Sequence, residues 1–211
     1  MNKIAIALML TWPVAVQADD VVIAAMGDSL TQGYGLIAPE GFVPQLEQWL
    51  QGEGVAARVI NAGVSGDTTA GGLSRAAWTL TPDVDAMIVI LGGNDVLRGI
   101  DPGTSRANLE GILQAAQTAD VDVLLVGLDA PGNYGPDYKQ TFDAIYPELA
   151  QEYGALYAPD FFEGLGATDG DLASVAAYMQ PDGIHPNARG VIHIVDSLGP
   201  YVQTLVARTA E

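Results

Sequence analysis

The stretch Ile23–Gly35, "IAAMGDSLTQGYG", joins an apolar run directly to a glycine, an aspartate and a serine. The apolar run begins at Val21 and is continuous, which predicts a strand that is covered on both faces. Small residues around a serine at the end of such a strand are typical of an ordinary turn into a helix. They are equally typical of a serine presented for chemistry. The choice depends on whether the chain supplies a base, an orienting acid and a pocket that stabilises an anion.

Strands and helices are predicted to alternate behind this first strand. Apolar runs predict strands over 57–61, 86–91, 121–128 and 155–158, and helical spacing predicts helices over 44–51, 72–80, 104–119, 137–153 and 187–207. Buried strands that alternate with helices predict an α/β fold, in which a parallel sheet carries helices on both faces.

Local signals set the expected ends and breaks of three helices. Thr104 or Ser105 is available to cap the helix over 104–119. Pro147 is expected to kink or shorten its helix, because proline lacks the N–H that a helix interior requires. Gly199-Pro200 is expected to break the C-terminal helix for the same reason.

Polar or glycine-rich turns follow three of the predicted strands. Ser29 comes after the first strand, Asn61-Ala62-Gly63 after the second, and Gly92-Gly93-Asn94 after the third. Ligands bind parallel α/β sheets outside the carboxyl ends of the strands. The three turns are therefore expected to meet at one edge of the sheet.

Composition limits the class of protein. The chain has 211 residues, enough for one sizeable core, and we expect a single domain over residues 19–211. It contains no cysteine, which excludes disulfides and thiolate metal sites. The formal net charge of −18 disfavours nucleic acid and anionic membrane surfaces as partners.

The first 18 residues, "MNKIAIALMLTWPVAVQA", have the order of a secretory signal peptide. Lys3 provides the positive start, the apolar run over 4–12 is too short to span a bilayer, and Ala18 places a small residue at the cleavage position. A buried first strand and an uncleaved anchor are the alternatives. Cleavage near Ala18 would give a periplasmic or secreted protein, and its loss of one lysine and no acid would bring the net charge to −19.

A candidate base and orienting acid lie near the C-terminus. A serine hydroxyl needs a base to take its proton, and the chain has two histidines. His185 follows Asp182 by three residues in "DGIHPNARG", so on a loop or turn the carboxylate can reach Nδ1 of the imidazole while Nε2 faces outward, available to take the proton of Ser29. His193 has no acid near it on the predicted helix and is interpreted as structural or solvated.

Candidate donors for an oxyanion hole lie at the same predicted edge of the sheet. They are the backbone N–H of Ser29, the backbone N–H of Gly63 and the side-chain amide of Asn94. Asp28 and Asp95 are expected to brace their turns by hydrogen bonds. Each element taken alone has an ordinary structural interpretation, but together they supply every role that a serine hydrolase needs.

Metal and nucleotide sites are weaker interpretations. Two histidines eight residues apart, without cysteine, make a poor zinc site, and no metal or other cofactor is expected. The chain has no phosphate-binding loop of the glycine-lysine-serine/threonine type and no dinucleotide fingerprint. The residue two places after Ser29 is Thr31 rather than glycine, which argues against the nucleophile elbow of the α/β-hydrolase fold.

At these residues the chain resembles the SGNH, or GDSL, hydrolase family. The family's serine, glycine, asparagine and histidine correspond to Ser29 in "GDSLTQGYG", Gly63 in "NAGVSGDTT", Asn94 in "LGGNDVLRG" and His185 in "DGIHPNARG". The stretches "NAGVSGDTTAGGLSR", "NYGPDYKQTFDAIYPELA" and "MQPDGIHPN" are similar to the branch of periplasmic acyl-CoA thioesterase I, lysophospholipase L1 and arylesterase.

The resemblance implies a flavodoxin-like, three-layer α/β/α fold with five parallel strands, no metal, and hydrolysis of small ester or thioester substrates. The apolar turn residues Leu30, Leu73 and Leu97 are candidates to contact an acyl chain. A carbohydrate acetylesterase of the same fold and a non-catalytic flavodoxin-like binding module are the alternatives. The natural substrate, the acyl length and the oligomeric state stay open.

Overall fold

The computed structural model describes residues 20–167 and 171–209. Its strands form one sheet in the order β2-β1-β3-β4-β5, and every pair of neighbours is parallel. The strands are β1 (Val21–Gly27), β2 (Ala57–Gly63), β3 (Ala86–Ile90), β4 (Asp122–Val126) and β5 (Leu156–Ala158). The predicted parallel α/β sheet is confirmed.

Helices connect the strands and cover both faces of the sheet. In chain order they are α1 (Ser29–Gln32), α2 (Phe42–Gly52), α3 (Thr69–Thr79), α4 (Gly93–Leu97), α5 (Pro102–Thr118), α6 (Pro136–Asp143), α7 (Ile145–Tyr153) and α8 (Ala188–Arg208). Helix α2 packs against α8 on one face, whereas α3, α5 and α7 pack together on the other. The sheet is therefore the buried middle layer of three.

Strand register brings the first three turns to one edge of the sheet. Gly27 at the end of β1 lies opposite Gly63 of β2 on one side and Ile90 of β3 on the other. From β1 the chain passes to β2 on one side of β1, and from β2 it crosses to β3 on the other side of β1. The direction in which strands are added therefore reverses between β1 and β3. Such a switch point opens a crevice for a ligand at the carboxyl ends of the strands. Ser29 stands at this switch point.

The start of α5 differs from the residues that local signals favoured, whereas the expectation at Pro147 holds. Helix α5 begins at Pro102, and its cap is Asp101 rather than Thr104 or Ser105. The Asp101 carboxylate accepts hydrogen bonds from the backbone N–H groups of Gly103 and Thr104, because the first turn of a helix has no preceding helical carbonyls for its N–H groups. The expected effect of Pro147 is confirmed, since the chain divides into α6 and α7 at Ala144.

The predicted break at Gly199-Pro200 is wrong, because α8 runs through Pro200 without ending. The apolar stripe of α8 is buried on both sides of the proline, at Leu198 before it and Val202 after it. Gly199 lies against the Trp49 indole, where a Cβ atom would come within 2.7 Å of the ring. Tertiary packing therefore holds the helix together where one backbone hydrogen bond is lost.

The described residues contain no helix that is both long enough and apolar enough to cross a membrane. The predicted signal peptide over residues 1–18 lies outside the described residues.

Candidate active site

Ser29 is the first residue of α1, directly after the end of β1. The buried carboxylate of Asp28 caps this short helix by accepting the backbone N–H of Leu30 at 3.0 Å. The cap fixes the turn, and the N–H of Ser29 itself lies in the first helical turn, where no preceding helical carbonyl is available to it. The sharp change from strand to helix presents the Ser29 hydroxyl at the sheet edge.

His185 reaches Ser29 from the other end of the chain. Its Nε2 lies 2.8 Å from Oγ of Ser29, and its Nδ1 lies 2.7 Å from Oδ2 of Asp182. The other carboxylate oxygen of Asp182 accepts the backbone N–H groups of Ile184 and His185, each at 3.0 Å. Asp182 therefore holds both the imidazole and the backbone that carries it.

The electrostatics of Asp182 favour its charged form. The backbone N–H of His185 is the largest cause that lowers the pKa of Asp182 to about 2, and the hydrogen bonds from the His185 ring and Ile184 act in the same direction. A carboxylate that stays ionised throughout the neutral range can orient the imidazole and stabilise its protonated form.

The loop that carries His185 is attached to the body of the protein at several points. Met179 and Pro186 form an isolated antiparallel bridge across the base of the loop. Asn187 caps α8 by accepting the N–H groups of Arg189 and Gly190, and its amide donates to the carbonyl of Met179 at 3.2 Å. The ring of Tyr34 lies beside the imidazole, with 4.6 Å between centroids.

Asn94 lies at the start of α4, on the cavity side of the sheet edge. One N–H of its amide donates to Oδ2 of Asp28 at 3.1 Å, which leaves the second N–H free to face a substrate oxygen. Neighbouring Asp95 is fully buried and accepts hydrogen bonds from Thr69 and Ser105. Asp95 therefore braces α4 against α3 and α5, as the sequence suggested.

The structure does not place Gly63 as the sequence suggested. The backbone N–H of Gly63 donates to Oδ1 of Asn61 at 3.0 Å, and Gly63 lies outside the described cavity lining. A Cβ atom at this position would collide with the backbone N of Gln32 and come within 2.9 Å of the carbonyl of Asp28. Gly63 is thus required by the close approach of α1 to the end of β2.

Gly66, three residues later, lines the cavity together with Ser29 and Asn94. Its φ of +85° is in the left-handed region, and its N–H donates to no other residue that the structure describes. The Arg98 guanidinium holds the loop by donating to the Gly66 carbonyl at 2.8 Å. Sequence reasoning missed Gly66, although it is the second glycine of "NAGVSGDTT" and could have been considered beside Gly63.

Arg75 on α3 ties the ends of β1 and β2 to this loop. Its guanidinium donates to the carbonyls of Gly27 and Ala62 at 2.9 and 2.7 Å, and to the Asp67 carboxylate at 2.7 Å. The turn that carries Ser29 and the loop that carries Gly66 therefore share one rigid support. Only the folded chain brings these three acceptors around one arginine.

Burial changes the pKa of Asp28, the residue next to Ser29. Desolvation raises the pKa of Asp28 to about 6, and the hydrogen bonds from Leu30 and Asn94 partly oppose this rise. Nearby Asp67 adds to the rise, whereas His185 acts against it.

A cavity of about 330 Å³ opens beside Ser29. Leu30 and Leu97 line it, as expected, together with Val96, Leu128 and Phe162. Leu73 does not, and the prediction that it contacts an acyl chain needs correction. It is on the face of α3 that meets α5, where its side chain lies against Gly111.

The polar part of the cavity wall is acidic. Asp28, Asp129 and Asp160 line it, and no lysine or arginine is among its described lining residues. Burial, followed by the neighbouring charge of Asp129, raises the pKa of Asp160 to about 6. Oδ1 of Asp160 is buried without a hydrogen-bond partner.

The described residues contain no group of three histidine, aspartate or glutamate side chains that could hold a metal ion. His193 lies away from the serine, with its ring against that of Tyr178 at 4.9 Å between centroids. The structure around Ser29 is therefore a hydroxyl, an imidazole and a carboxylate in hydrogen-bonded sequence, beside a largely apolar cavity. A nucleophile, its base and an orienting acid require this sequence of groups.

Comparison with known proteins agrees with this geometry. The model of the GDSL-like Lipase/Acylhydrolase family matches residues 25–191. The chain belongs to this family. Membership supports ester hydrolysis over the non-catalytic binding module that the sequence left open.

Two relatives of this GDSL-family chain match nearly its full length. It is 37% identical to Esterase TesA of Pseudomonas aeruginosa over 191 residues, which cover 90% of this chain and 92% of that protein. It is 36% identical to Thioesterase 1/protease 1/lysophospholipase L1 of Escherichia coli K12 over 193 residues, which cover 91% and 87%.

Among solved structures, the GDSL-family chain is similar to AlinE4, an SGNH-hydrolase family esterase. The identity is 45% and the TM-score 0.72, and the match covers 89% of this chain and 97% of AlinE4. The three-layer fold with a five-stranded parallel sheet is thus the fold of this family.

Proposed function

We propose that this esterase acts through an acyl-enzyme on Ser29, with His185 as the base and Asp182 as the orienting acid. The observation that carries the proposal is the 2.8 Å contact between Nε2 of His185 and Oγ of Ser29. This distance is within hydrogen-bond reach of the proton that the base must take. Ser29 then attacks the ester carbonyl, and His185 passes the proton to the leaving alcohol or thiol. Water attacks the acyl-enzyme by the same route.

The negative oxygen of the tetrahedral intermediate needs donors that are already in place. The N–H of Ser29, the N–H of Gly66 and the free amide hydrogen of Asn94 take this role. Gly66 replaces Gly63 in the proposed set, because the N–H of Gly63 already donates to Asn61.

A fluorophosphonate tests the nucleophile directly, since it bonds covalently to an activated serine and releases fluoride. We expect inactivation with the added mass on the peptide that contains Ser29, and no labelling of the Ser29→Ala variant. Labelling at a different serine would contradict the assignment.

The cavity favours uncharged acyl groups and leaving groups. Its wall is largely apolar, and the carboxyl groups that line it are those of Asp28, Asp129 and Asp160. The whole chain has a net charge of −18. Like charges repel most strongly where a site excludes water, so the phosphate-rich leaving group of an acyl-CoA is disfavoured relative to an uncharged ester or thioester.

Three substrates with the same acyl group separate thioester chemistry from charge. They are a p-nitrophenyl ester, an N-acetylcysteamine thioester and the corresponding CoA thioester. We expect the N-acetylcysteamine thioester to have a kcat/KM at least ten times that of the CoA thioester at low salt. Equal values would contradict the charge argument. Faster release of acetate from acetylated xylo-oligosaccharide than from the p-nitrophenyl ester would instead favour a carbohydrate acetylesterase.

We further propose that residues 1–18 are a signal peptide and that residues 19–211 form one exported domain. The support is the order of positive, apolar and small residues before Ala18. Expression of the full chain in a bacterium with a periplasm, followed by N-terminal sequencing of the periplasmic protein, tests this. The expected first residue is Asp19, and a protein that keeps Met1 would contradict cleavage.

A further inference from the structure

Gln180 connects the two ends of the chain that meet at the active site. Its Nε2 donates to the carbonyl of Tyr34 at 2.8 Å and to the carbonyl of Pro186 at 2.9 Å. The two N–H groups of one planar amide are therefore bonded to segments that are about 150 residues apart in sequence. Neither acceptor belongs to a helix or strand.

On the nucleophile side, Tyr34 follows α1 directly. Its backbone N–H donates to the carbonyl of Ser29 at 3.1 Å, so the position of this carbonyl and that of Tyr34 are linked. The Tyr34 ring also lies beside the imidazole of His185. A group that fixes the Tyr34 carbonyl thus acts close to Ser29.

On the base side, Gln180 bonds to the His185 loop through its backbone as well. Its N–H donates to the carbonyl of His185 at 2.7 Å, and its carbonyl accepts the N–H of Gly183 at 3.0 Å. The side-chain bond to Pro186 then fixes the residue after the base. Gln180 therefore holds the His185 loop at three points.

We propose that Gln180 is a positioning residue that sets the separation between Ser29 and His185. The Ser29–His185 hydrogen bond crosses between the same two segments, and a shift of either segment changes its length. A misplacement of about 1 Å can lower the rate of a chemical step by about 100-fold. The proposal rests on the roles of Ser29 and His185 proposed above.

Two substitutions of Gln180 keep its size and remove its donors. Gln180→Met keeps the packing without hydrogen bonds, and Gln180→Glu is nearly isosteric but turns carboxylate oxygens toward two carbonyls. The matched control is Gln45→Met, because Nε2 of Gln45 donates to the Pro39 carbonyl at 2.7 Å away from the site.

We expect both Gln180 variants to lower kcat by about 10- to 100-fold, with KM changed less than threefold. The rate of inactivation by a fluorophosphonate should fall in parallel, because it uses the same serine and base. Gln45→Met should leave both rates within twofold. A folded Gln180→Met protein with the parental kcat would overturn the proposal.

Gly35 allows a second test if the Gln180 variants fail to fold. A Cβ atom at Gly35 would collide with Oε1 of Gln180, and the φ of Gly35 is +76°. Gly35→Asn tolerates this backbone conformation and pushes the Gln180 side chain away. Gly54→Asn is the control, because Gly54 has a φ of +75° and no atom within 4 Å of its Cβ position.

We expect Gly35→Asn to reproduce the loss of kcat and of inactivation rate, whereas Gly54→Asn retains both. Equal kcat values for the two asparagine variants would contradict the proposal. Activity in the Ser29→Ala variant, by contrast, would contradict the proposed function. Failure of the Gln180 proposal and failure of the proposed nucleophile are therefore distinguishable.

Discussion

Asp28 and Asn94 join the turn after β1 to the turn after β3 through one hydrogen bond. Nδ2 of Asn94 donates to the buried Oδ2 of Asp28 at 3.1 Å, and the other Asp28 oxygen caps the helix that begins at Ser29. The proposed nucleophile and one proposed oxyanion donor are thus held by the same carboxylate. Movement of either turn would disturb both.

Removal of the Asn94 amide should affect chemistry more than binding. We expect Asn94→Ala to lower kcat by about 10²- to 10³-fold, because the donor acts on charge that develops in the transition state. KM for an uncharged ester should change little. Asp95→Ala is the comparison, and it should lower the melting temperature because Asp95 is buried and holds Thr69 and Ser105. A rise in KM alone for Asn94→Ala would make Asn94 a substrate-binding residue.

The Gly66 assignment predicts a loss of activity beyond backbone strain. Gly66→Ala forces an alanine into a φ of +85° and displaces the proposed oxyanion donor, the N–H of a residue that lines the cavity. We expect kcat to fall at least tenfold. Gly54→Ala carries similar strain in open space and should retain kcat. Melting temperature and kcat measured for both variants separate strain from catalysis, and equal kcat values would exclude Gly66 from the oxyanion hole.

Burial of Asp28 makes stability depend on pH. Its pKa is about 6 in the folded protein against 3.8 for the free side chain, so the folded state binds more protons between these values. Stability therefore falls as pH rises through this window, by at most about 3 kcal/mol, and the penalty stays constant above it. Asp28→Asn cannot ionise, so its unfolding free energy should rise relative to the parent between pH 4 and 6.

Urea unfolding of the parent and of Asp28→Asn at pH 4, 5, 6 and 7 measures this difference. The exposed Asp196 on α8 provides the control variant, Asp196→Asn. A difference between the parent and Asp28→Asn that does not change with pH would contradict the raised pKa. Activity of Asp28→Asn should fall at every pH, because the single amide oxygen can accept from Leu30 or from Asn94 but its NH₂ group cannot accept the other hydrogen bond.

Loss of the orienting acid should be less severe than loss of the base. We expect Asp182→Asn to lower kcat by roughly 10³- to 10⁴-fold and His185→Ala by a further tenfold or more. The asparagine oxygen still accepts the backbone N–H groups of Ile184 and His185, so the loop survives while the tautomer is disturbed. Parental activity of Asp182→Asn, beside an inactive His185→Ala, would reduce Asp182 to a loop residue.

Ser29→Ala should remove nearly all turnover without unfolding the protein. The helix cap belongs to Asp28, so the loss of one hydroxyl leaves α1 intact. The oxyanion donors alone should leave a residual rate about 10³-fold above that in water. Steady-state rates and circular dichroism on the same sample test this. Near-parental turnover would contradict the assignment of Ser29 as the nucleophile.

The sequence by itself determined the strands, their parallel direction and most of the candidate site residues. Continuous apolar runs are a local signal for buried strands, and the turns that follow them must meet at one sheet edge. The pairing of Asp182 with His185 was visible because only three residues separate them. In contrast, local helix signals placed the cap of α5 on the wrong residue and predicted a break at Pro200.

Tertiary structure decided what depends on contacts between distant segments. Gly63 and Gly66 are indistinguishable as local patterns, but the approach of α1 to β2 requires the first, and the cavity exposes the second. Leu73 is apolar like Leu97, yet Leu73 lies against Gly111 of α5 whereas Leu97 lines the cavity. Whether a residue lines the cavity or packs against another element depends on contacts between segments that are distant in sequence. The residues next to it in sequence carry little information about those contacts.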